Sequence, residues 1–398
     1  MTAPAAPHLP LWTKSYTITI LATLFLFTPW ALFMPVLPLY VLEELHGSPA
    51  TAGAANAVFL IAMVLFRAQT DRLENLFGKR AVLFGGGLLF TCTNFLFLAA
   101  GSTATVMVLR FFNGVVFAIV NTSISALGGQ LAPLSRKGEG LAYVATAVTA
   151  ATAVGPFVGL SLARSHGFPW VFSFCGLIAL AGSFISLGIV VPGGRADRPA
   201  PLRRMALRDL YEARAVPAST IILLMMVAIS AVLTFVSVYA ATLGLHGAAT
   251  YFFVVMALCA IGARLLTGRS YDRFGADFVI YPAIAFLACG LLILGRAGTV
   301  SGMFSAAALI GFAYGIAVPS LQALAYHQSP PHRIGVVTAT YFTLFDLGMG
   351  AGSYLVGVCI PLVGYANLYF LLSPFILAVA PLYRLTCGRK RACCGISG

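Results

Sequence analysis

Charged residues are scarce in this 398-residue chain. Asp, Glu, Lys and Arg together make up 9%, against roughly a quarter in soluble domains. With 60% hydrophobic residues and a mean hydropathy of +0.95, this excludes an assembly of soluble domains. The 12% aromatic content excludes a disordered chain. The apolar runs are continuous rather than alternating, which excludes a porin-like barrel. Reactive motifs are missing too. There is no G-x-x-x-x-G-K-[ST] to hold the phosphates of ATP, no H-E-x-x-H and no G-x-S-x-G, so neither an ATP-driven pump nor an intramembrane enzyme is supported. The eight cysteines form no zinc spacing. Cys92, Cys175, Cys259, Cys289 and Cys359 lie in apolar runs as small hydrophobes, and Cys387, Cys393 and Cys394 sit in a basic tail read as solvated, in a reducing compartment. No metal or cofactor is expected. No small-residue cleavage site follows the N-terminal segment, so the first apolar run is expected to be retained.

What the chain has is length of apolar run. Stretches of spanning length occur at 15–42, 51–69, 81–100, 103–132, 140–163 and 168–191, and again at 218–242, 250–267, 277–297, 302–326, 335–360 and 364–386. This predicts an all-α membrane protein with twelve transmembrane helices in two six-helix bundles, 1–191 and 218–386. They are joined by a Pro- and Arg-rich linker, 192–217, with a short helical pattern near 203–214, and followed by a basic tail, 387–398. The net charge of +13 comes from 24 Lys and Arg against 11 Asp and Glu. In a soluble protein such a surplus would point to nucleic acid. Here 21 of the basic residues fall on the side that holds the N-terminus, two (Arg164 and Arg296) fall on the other, and Arg110 lies inside a span. Positive residues stay on the cytosolic side of membrane proteins, so both termini are expected in the cytosol and the surplus marks topology rather than a nucleic-acid partner.

The two halves repeat. Shifted by 197 residues, Arg67-Ala68-Gln69-Thr70-Asp71-Arg72 lies over Arg264-Leu265-Leu266-Thr267-Gly268-Arg269 without a gap, and Phe77-Gly78 lies over Phe274-Gly275. The same register places Gly114 on Gly311, Ser123 on Ser320, Pro133 on Pro330 and Gly155 on Gly352. Parallel six-span repeats predict a transporter whose site lies between the halves, near the bilayer midplane.

Four motifs resemble those of the major facilitator superfamily. Gly268-Arg269-Ser270-Tyr271-Asp272-Arg273-Phe274-Gly275 resembles the family signature G-x-x-x-D-R-x-G. Arg110-Phe111-Phe112-Asn113-Gly114 resembles R-x-x-x-G. Ala151 to Gly155-Pro156-Phe157-Val158-Gly159 resembles the antiporter pattern G-x-x-x-G-P-x-x-G. Pro35-Val36-Leu37-Pro38-Leu39-Tyr40 resembles the end of span one in many exporters. The nearest likeness is to bacterial drug or metabolite:proton antiporters. It implies a monomeric transporter of the inner, cytoplasmic membrane, in contact with the lipid bilayer, that carries a small-molecule substrate and protons. It also implies gating roles for Gly155, Pro156 and Gly159, for Gly268, Arg269, Asp272, Arg273 and Gly275, and for the repeat-related Asp71, Arg72, Asn75 and Gly78. Several drug antiporters use an acid within span one; here Glu43 and Glu44 stand at its end, outside the apolar run.

Charge inside a membrane is costly, so buried ionisable residues are functional candidates. Asp346 lies about 17 Å into span eleven at 1.5 Å per residue. Its neighbours at helical spacing are Phe342, Thr343, Met349 and Gly350, with Thr338 and Ser353 beyond. This mixed face reads as a cavity wall, and Asp346 as a proton-coupling or substrate residue. Arg110, on a stripe with Gly114, Ala118, Thr122, Ala126 and Gln130, is the second candidate, for proton transfer or an anionic substrate group. Arg67 and Arg264 are expected to snorkel to the interface. Trp30, Asn56, Asn113, Tyr239, Tyr251, Tyr314, Gln322 and Tyr341 are candidate cavity-lining residues.

The favoured reading is export by proton-coupled antiport. Import by a facilitator or symporter, and a lipid-moving or signalling role on the same scaffold, stay open. Asn75 stands where the signature carries Asp, which is thought to latch the cytosolic side, and cannot form an ion pair. Replacing Asn75 by Asp is expected to shift the protein toward its outward-facing state, seen as reduced labelling of cysteine probes on the cytosolic side; unchanged labelling would refute a weakened latch.

Overall fold

The computed structural model describes residues 11–133, 136–190, 211–330 and 333–388. Twelve helices among them are long and apolar enough to cross a membrane. In chain order they are α1 (Lys14–Glu43), α2 (Pro49–Phe77), α3 (Lys79–Ala99), α4 (Thr103–Leu131), α5 (Lys137–Ser165), α6 (Phe168–Ser186), α7 (Val216–Thr242), α8 (His246–Phe274), α9 (Ala276–Gly295), α10 (Val300–His327), α11 (Ile334–Val363) and α12 (Tyr365–Cys387). Most of the linker, with its helical pattern, and the tail beyond Gly388 lie outside the described residues; 211–215 form a turn rather than a helix. Cys387, expected in a solvated tail, is instead buried in a π-helical turn that closes α12.

Side-chain hydroxyls cap four of the spans: Thr13 accepts from Tyr16 N–H, Ser48 from Thr51 N–H, Ser102 from Thr105 N–H and Thr299 from Gly302 N–H. Each satisfies an amide that has no carbonyl four residues back. Gly78 and Gly275 stop α2 and α8 at φ +84° and +86°, and Gly167 and Gly364 start α6 and α12 at φ +90° and +78°. These left-handed positions favour glycine, and both pairs are separated by 197 residues. The sequence repeat is therefore a repeat of backbone geometry.

Packing repeats as well. Within the first half, α4 meets α2 at Gly114, where a Cβ would run into the Phe59 carbonyl and the Ala62 side chain. In the second half α10 meets α8 at Gly311, against the Met256 carbonyl and Cys259, again 197 residues on. Gly155 presses α5 onto Thr28 and Leu32 of α1, as Gly352 presses α11 onto Val227 and Ser230 of α7. Small residues let the backbones approach, because helices in lipid gain association energy from close packing and polar contacts rather than from leaving water.

Three helix pairs join the halves: α2 with α11, α5 with α8 and α1 with α7. We call the end of the molecule carrying Lys14, Arg80, Arg136, Arg273 and Arg384 the basic face, and the other end the distal face. From the distal end inward, α2 and α11 touch at Pro49 and Gly357, at Gly53 and Ser353, and at Ala57 and Gly350. Part of the α11 face that reads from sequence as a cavity wall, Gly350 and Ser353, is here packed against α2, because these small residues and Gly357 let α2 lie directly on it. Polar contacts nearest the basic face are Lys79 with Gln130 and Arg136 with Glu139 in the first half, Tyr326 with Thr338 in the second, and Arg333 with Glu212 of the linker. The stripe on α4 runs from buried Arg110, Gly114 and Ala118 to exposed Ala126 and Gln130. The closest approaches of α2 and α11 lie in the distal half of their seam.

A seam this tight should not tolerate a methyl group. Gly53→Ala is expected to destabilise the purified protein by about 1–3 kcal/mol, because its Cβ meets the Ser353 carbonyl. Gly85→Ala, with open space around it, should be neutral or stabilising. Equal unfolding temperatures for the two variants would contradict the seam.

Candidate functional site

Proline sets up the first polar junction. Pro38 lacks an N–H, so the Met34 carbonyl four residues earlier has no helical partner. Asn56 of α2 fills that vacancy, its Nδ2 donating to Met34 O at 3.0 Å, and reaches Thr234 Oγ1 of α7 in the other half at 3.4 Å. Its Oδ1 accepts from Arg110 Nη2 at 2.8 Å, and Arg110 Nε donates to the Ala55 carbonyl at 3.3 Å. The Arg110 guanidinium also lies 4.4 Å from the Phe59 ring centre and 5.3 Å from that of Phe33, an arrangement that offsets part of the cost of burying its charge. Arg110 is fully buried. It faces the α1–α2–α4 contact and not the opening, and Gly114, one turn on, provides the close approach that lets it reach α2. Nearby, Ser237 of α7 donates to the Pro35 carbonyl at 2.8 Å, a further tie between the halves.

The second junction is ionic. Arg67 lies where α2 tightens into one 3₁₀ turn, Arg67–Gln69, and its Nη2 meets Asp346 Oδ2 of α11 at 2.5 Å. The Asp346 side chain is 6% exposed and that of Arg67 20%. A carboxylate among apolar helices demands such a partner. The expected snorkelling of Arg67 is thus overturned: a guanidinium gains more from a buried carboxylate one helix away than from extending to the surface.

Arg264 is likewise turned inward. Its Nη1 donates to Thr149 Oγ1 of α5 at 2.6 Å and lies 3.4 Å from the Ala145 carbonyl. Arg67 and Arg264 are 197 residues apart, and so are Thr149 and Asp346. The two cross-bundle contacts are therefore one contact made twice, by an acid on one side of the pseudo-twofold axis and a hydroxyl on the other. Tyr314 of α10 is half-buried and packs against the hydrophobic core. At the distal end of the same α5–α8 seam, Arg164 donates to Thr250 at 3.2 Å and Phe157 meets Tyr251 edge-on.

The remaining candidates divide. Gln322, half-buried, donates to the Tyr326 hydroxyl, which is hydrogen-bonded to Thr338 on the basic-face side. Trp30 stacks on Phe117, with its Nε1 buried and unpartnered. Three others belong to the interior of one bundle rather than to a cavity wall. Asn113 donates to Thr93 of α3 at 2.9 Å, Tyr239 packs among Tyr365 and Tyr369, and Tyr341 donates to the Val318 carbonyl at 2.7 Å. Tyr251 is exposed at the distal seam. In each case a neighbouring helix supplies a partner that one sequence does not reveal.

Of the gating motifs, Gly155 and Gly159 press α5 onto α1, with Pro156 between them. Asp71, Arg72 and Asn75 are exposed at the basic face, where Arg72 contacts Gln69; neither Asp71 nor Asn75 takes part in an ion pair among the described residues. Gly78 and Gly275 are helix stops, and Arg273 lies over Phe274. The side chains of Arg269 and Asp272, and the burial of Gly268, lie outside what is described.

Twelve apolar helices in two like bundles, tied by polar contacts along the seam that joins them, define a polytopic membrane protein of transporter type. The model of the Major Facilitator Superfamily matches residues 19–353. An uncharacterised MFS-type transporter of Methanocaldococcus jannaschii is 22% identical over 87% of this chain and 91% of its own length, and one of Burkholderia mallei is 27% identical over 84% and 83%. Among solved structures, the nucleoside transporter NupG superposes with a TM-score of 0.73 at 11% identity, covering 94% of this chain and 99% of that one. The human organic anion transporter TETRAN gives 0.72 at 17%, covering 94% and 100%. The chain belongs to the Major Facilitator Superfamily. It is a multi-pass integral membrane protein and a secondary transporter, not an enzyme.

Breaking the ion pair from one side leaves a buried charge. Arg67→Gln and Asp346→Asn should each lower unfolding stability by about 3 kcal/mol, while the double variant should recover most of that loss. Additive losses in chemical or thermal unfolding would show that the two side chains do not act as a pair.

Proposed function

We propose that this protein exports small organic molecules across the cytoplasmic membrane in exchange for protons, with Asp346 as the coupling acid. The carrying observation is the cross-bundle ion pair of Asp346 with Arg67. Such a pair requires Asp346 to be ionised; protonation breaks it and releases one of the ties between α2 and α11. Proton binding and bundle separation are then a single event.

The basic face is taken as cytosolic, by the positive-inside rule, and residues 1–191 and 218–386 as the two bodies that rock about the seam. The close distal contacts of α2 and α11, with the Arg67–Asp346 tie made, support reading this arrangement as the one that opens toward that face. A proton carried in from outside has therefore left Asp346 on the cytosolic side, and the open cavity is ready to load a solute. Protonation from the distal side would loosen the α2–α11 seam and favour opening there. The packing of α5 on α1 through Gly155 and Gly159 supports exchange rather than open flux, since it keeps the distal half tight on this side of the cavity. The seam is complete within one chain, which supports a monomer as the working unit, and the Burkholderia relatives support a bacterial inner membrane.

The test is flux in proteoliposomes with an imposed pH gradient, using a set of cationic, zwitterionic and anionic solutes. Wild type is expected to move solute against an inward proton flow, and Asp346→Asn should lose the gradient dependence, by tenfold or more in initial rate, while keeping residual exchange. Flux that ignores the gradient in wild type would defeat antiport; solute moving with the protons would make the protein an importer by symport.

A further inference from the structure

The repeat places a second arginine where the first one has found an acid, and leaves it without one. Arg67 is neutralised by Asp346. At the equivalent place Arg264 meets Thr149, which provides a hydroxyl, and the backbone carbonyl of Ala145. Both are neutral acceptors, and Arg264 takes part in no ion pair among the described residues. Its Nε is buried with no hydrogen-bond partner, whereas the side chain as a whole is only half-buried, so part of the guanidinium is accessible. A guanidinium presents a planar fork of donors matched to carboxylate and phosphate.

We propose that Arg264 is the docking point for a carboxylate group on the transported molecule. The solute supplies from outside the counter-charge that Asp346 supplies from within the chain at the symmetry-related contact. When the anion binds, Arg264 exchanges Thr149 for the solute, so loading changes the α5–α8 tie as protonation changes the α2–α11 tie. The proposal rests on the transport reading above for its purpose but not for its test. Binding at uniform pH is independent of whether protons drive the flux.

The experiment uses the purified full-length chain and a library of matched triplets, in which each small organic scaffold is present as its carboxylate, its carboxamide and its amine. Thermal stabilisation at pH 7.4 is followed by titration of the stabilising members. Sodium chloride and inorganic phosphate form a separate arm. Carboxylate members are expected to stabilise the wild type, with binding weakened about 10- to 100-fold in Arg264→Gln, the loss of one charge-assisted contact. Thr149→Asp, which places an acid at the position related to Asp346, is expected to abolish carboxylate binding while raising the unfolding temperature of the free protein, by pairing with Arg264 internally. That rise keeps the result distinct from misfolding. Stabilisation by amine members instead, carboxylate binding that is unchanged in Arg264→Gln, stabilisation by chloride or phosphate alone, or no carboxylate binding at millimolar concentration would each overturn the proposal. Loss of pH-driven flux with carboxylate binding intact would count against Asp346 coupling and leave Arg264 in place.

Discussion

A charge held between apolar helices must have a partner, and the rest of this molecule is arranged around that requirement. Asp346 is buried midway along α11 and is stabilised by Arg67 from the opposite bundle. Neither side chain has an equally good place to go if the bundles separate on that side. On the proposed reading the pair links an electrostatic state to a mechanical one, and α2 and α11 are closely packed from Pro49 and Gly357 inward. Water in that seam would screen the pair and weaken the link.

The pseudo-twofold arrangement gives the same contact twice with different chemistry. On one side the arginine is satisfied by an acid, whose protonation changes the tie. On the other it is satisfied by Thr149, whose hydroxyl does not titrate in the physiological range. A transporter built from two identical halves would respond identically on both seams. The substitution of a hydroxyl for a carboxylate leaves a titratable group on one seam and, on the other, a guanidinium with no ion pair among the described residues. On the proposed reading, this asymmetry lets two different ligands act on one rocking motion. The Pro38–Met34–Asn56–Arg110 junction joins α1, α2 and α4 of the first half and reaches α7 through Asn56 and Thr234.

Much of this architecture is legible in the sequence. Continuous apolar runs are strong signals, and all twelve spans appear; most ends fall within a few residues of expectation, while α2 and α8 run on past the expected 69 and 267 to Phe77 and Phe274. The repeat register of 197 predicts the paired glycine stops and the paired close approaches at Gly114 and Gly311, because glycine at such places answers a local steric demand. Residue orientation was less accessible. Arg67 and Arg264 lie near helix ends, where an arginine in lipid normally snorkels, and only the approach of α11 and α5 reveals partners for them. Yet a signal existed: Thr149 and Asp346 fall in the same register as the two arginines, so the repeat already related both members of each contact. Tyr239, Tyr341 and Asn113 carry no such signal. Polar groups on a transmembrane helix look alike whether they face a cavity or a neighbouring carbonyl, and the choice depends on the rotation of a helix about its axis.

Protonation of Asp346 is proposed to loosen the α2–α11 seam and let its distal end open. The most direct measurement is the distance between spin labels at Glu44 and Leu362, near the distal ends of α1 and α11, in reconstituted protein as pH is lowered. The account predicts that the wild type shifts from a short to a longer distance as pH falls, and that Asp346→Asn populates the longer distance at every pH with no further response. An unchanged distance across pH in the wild type, or an equal pH response in Asp346→Asn, would contradict it.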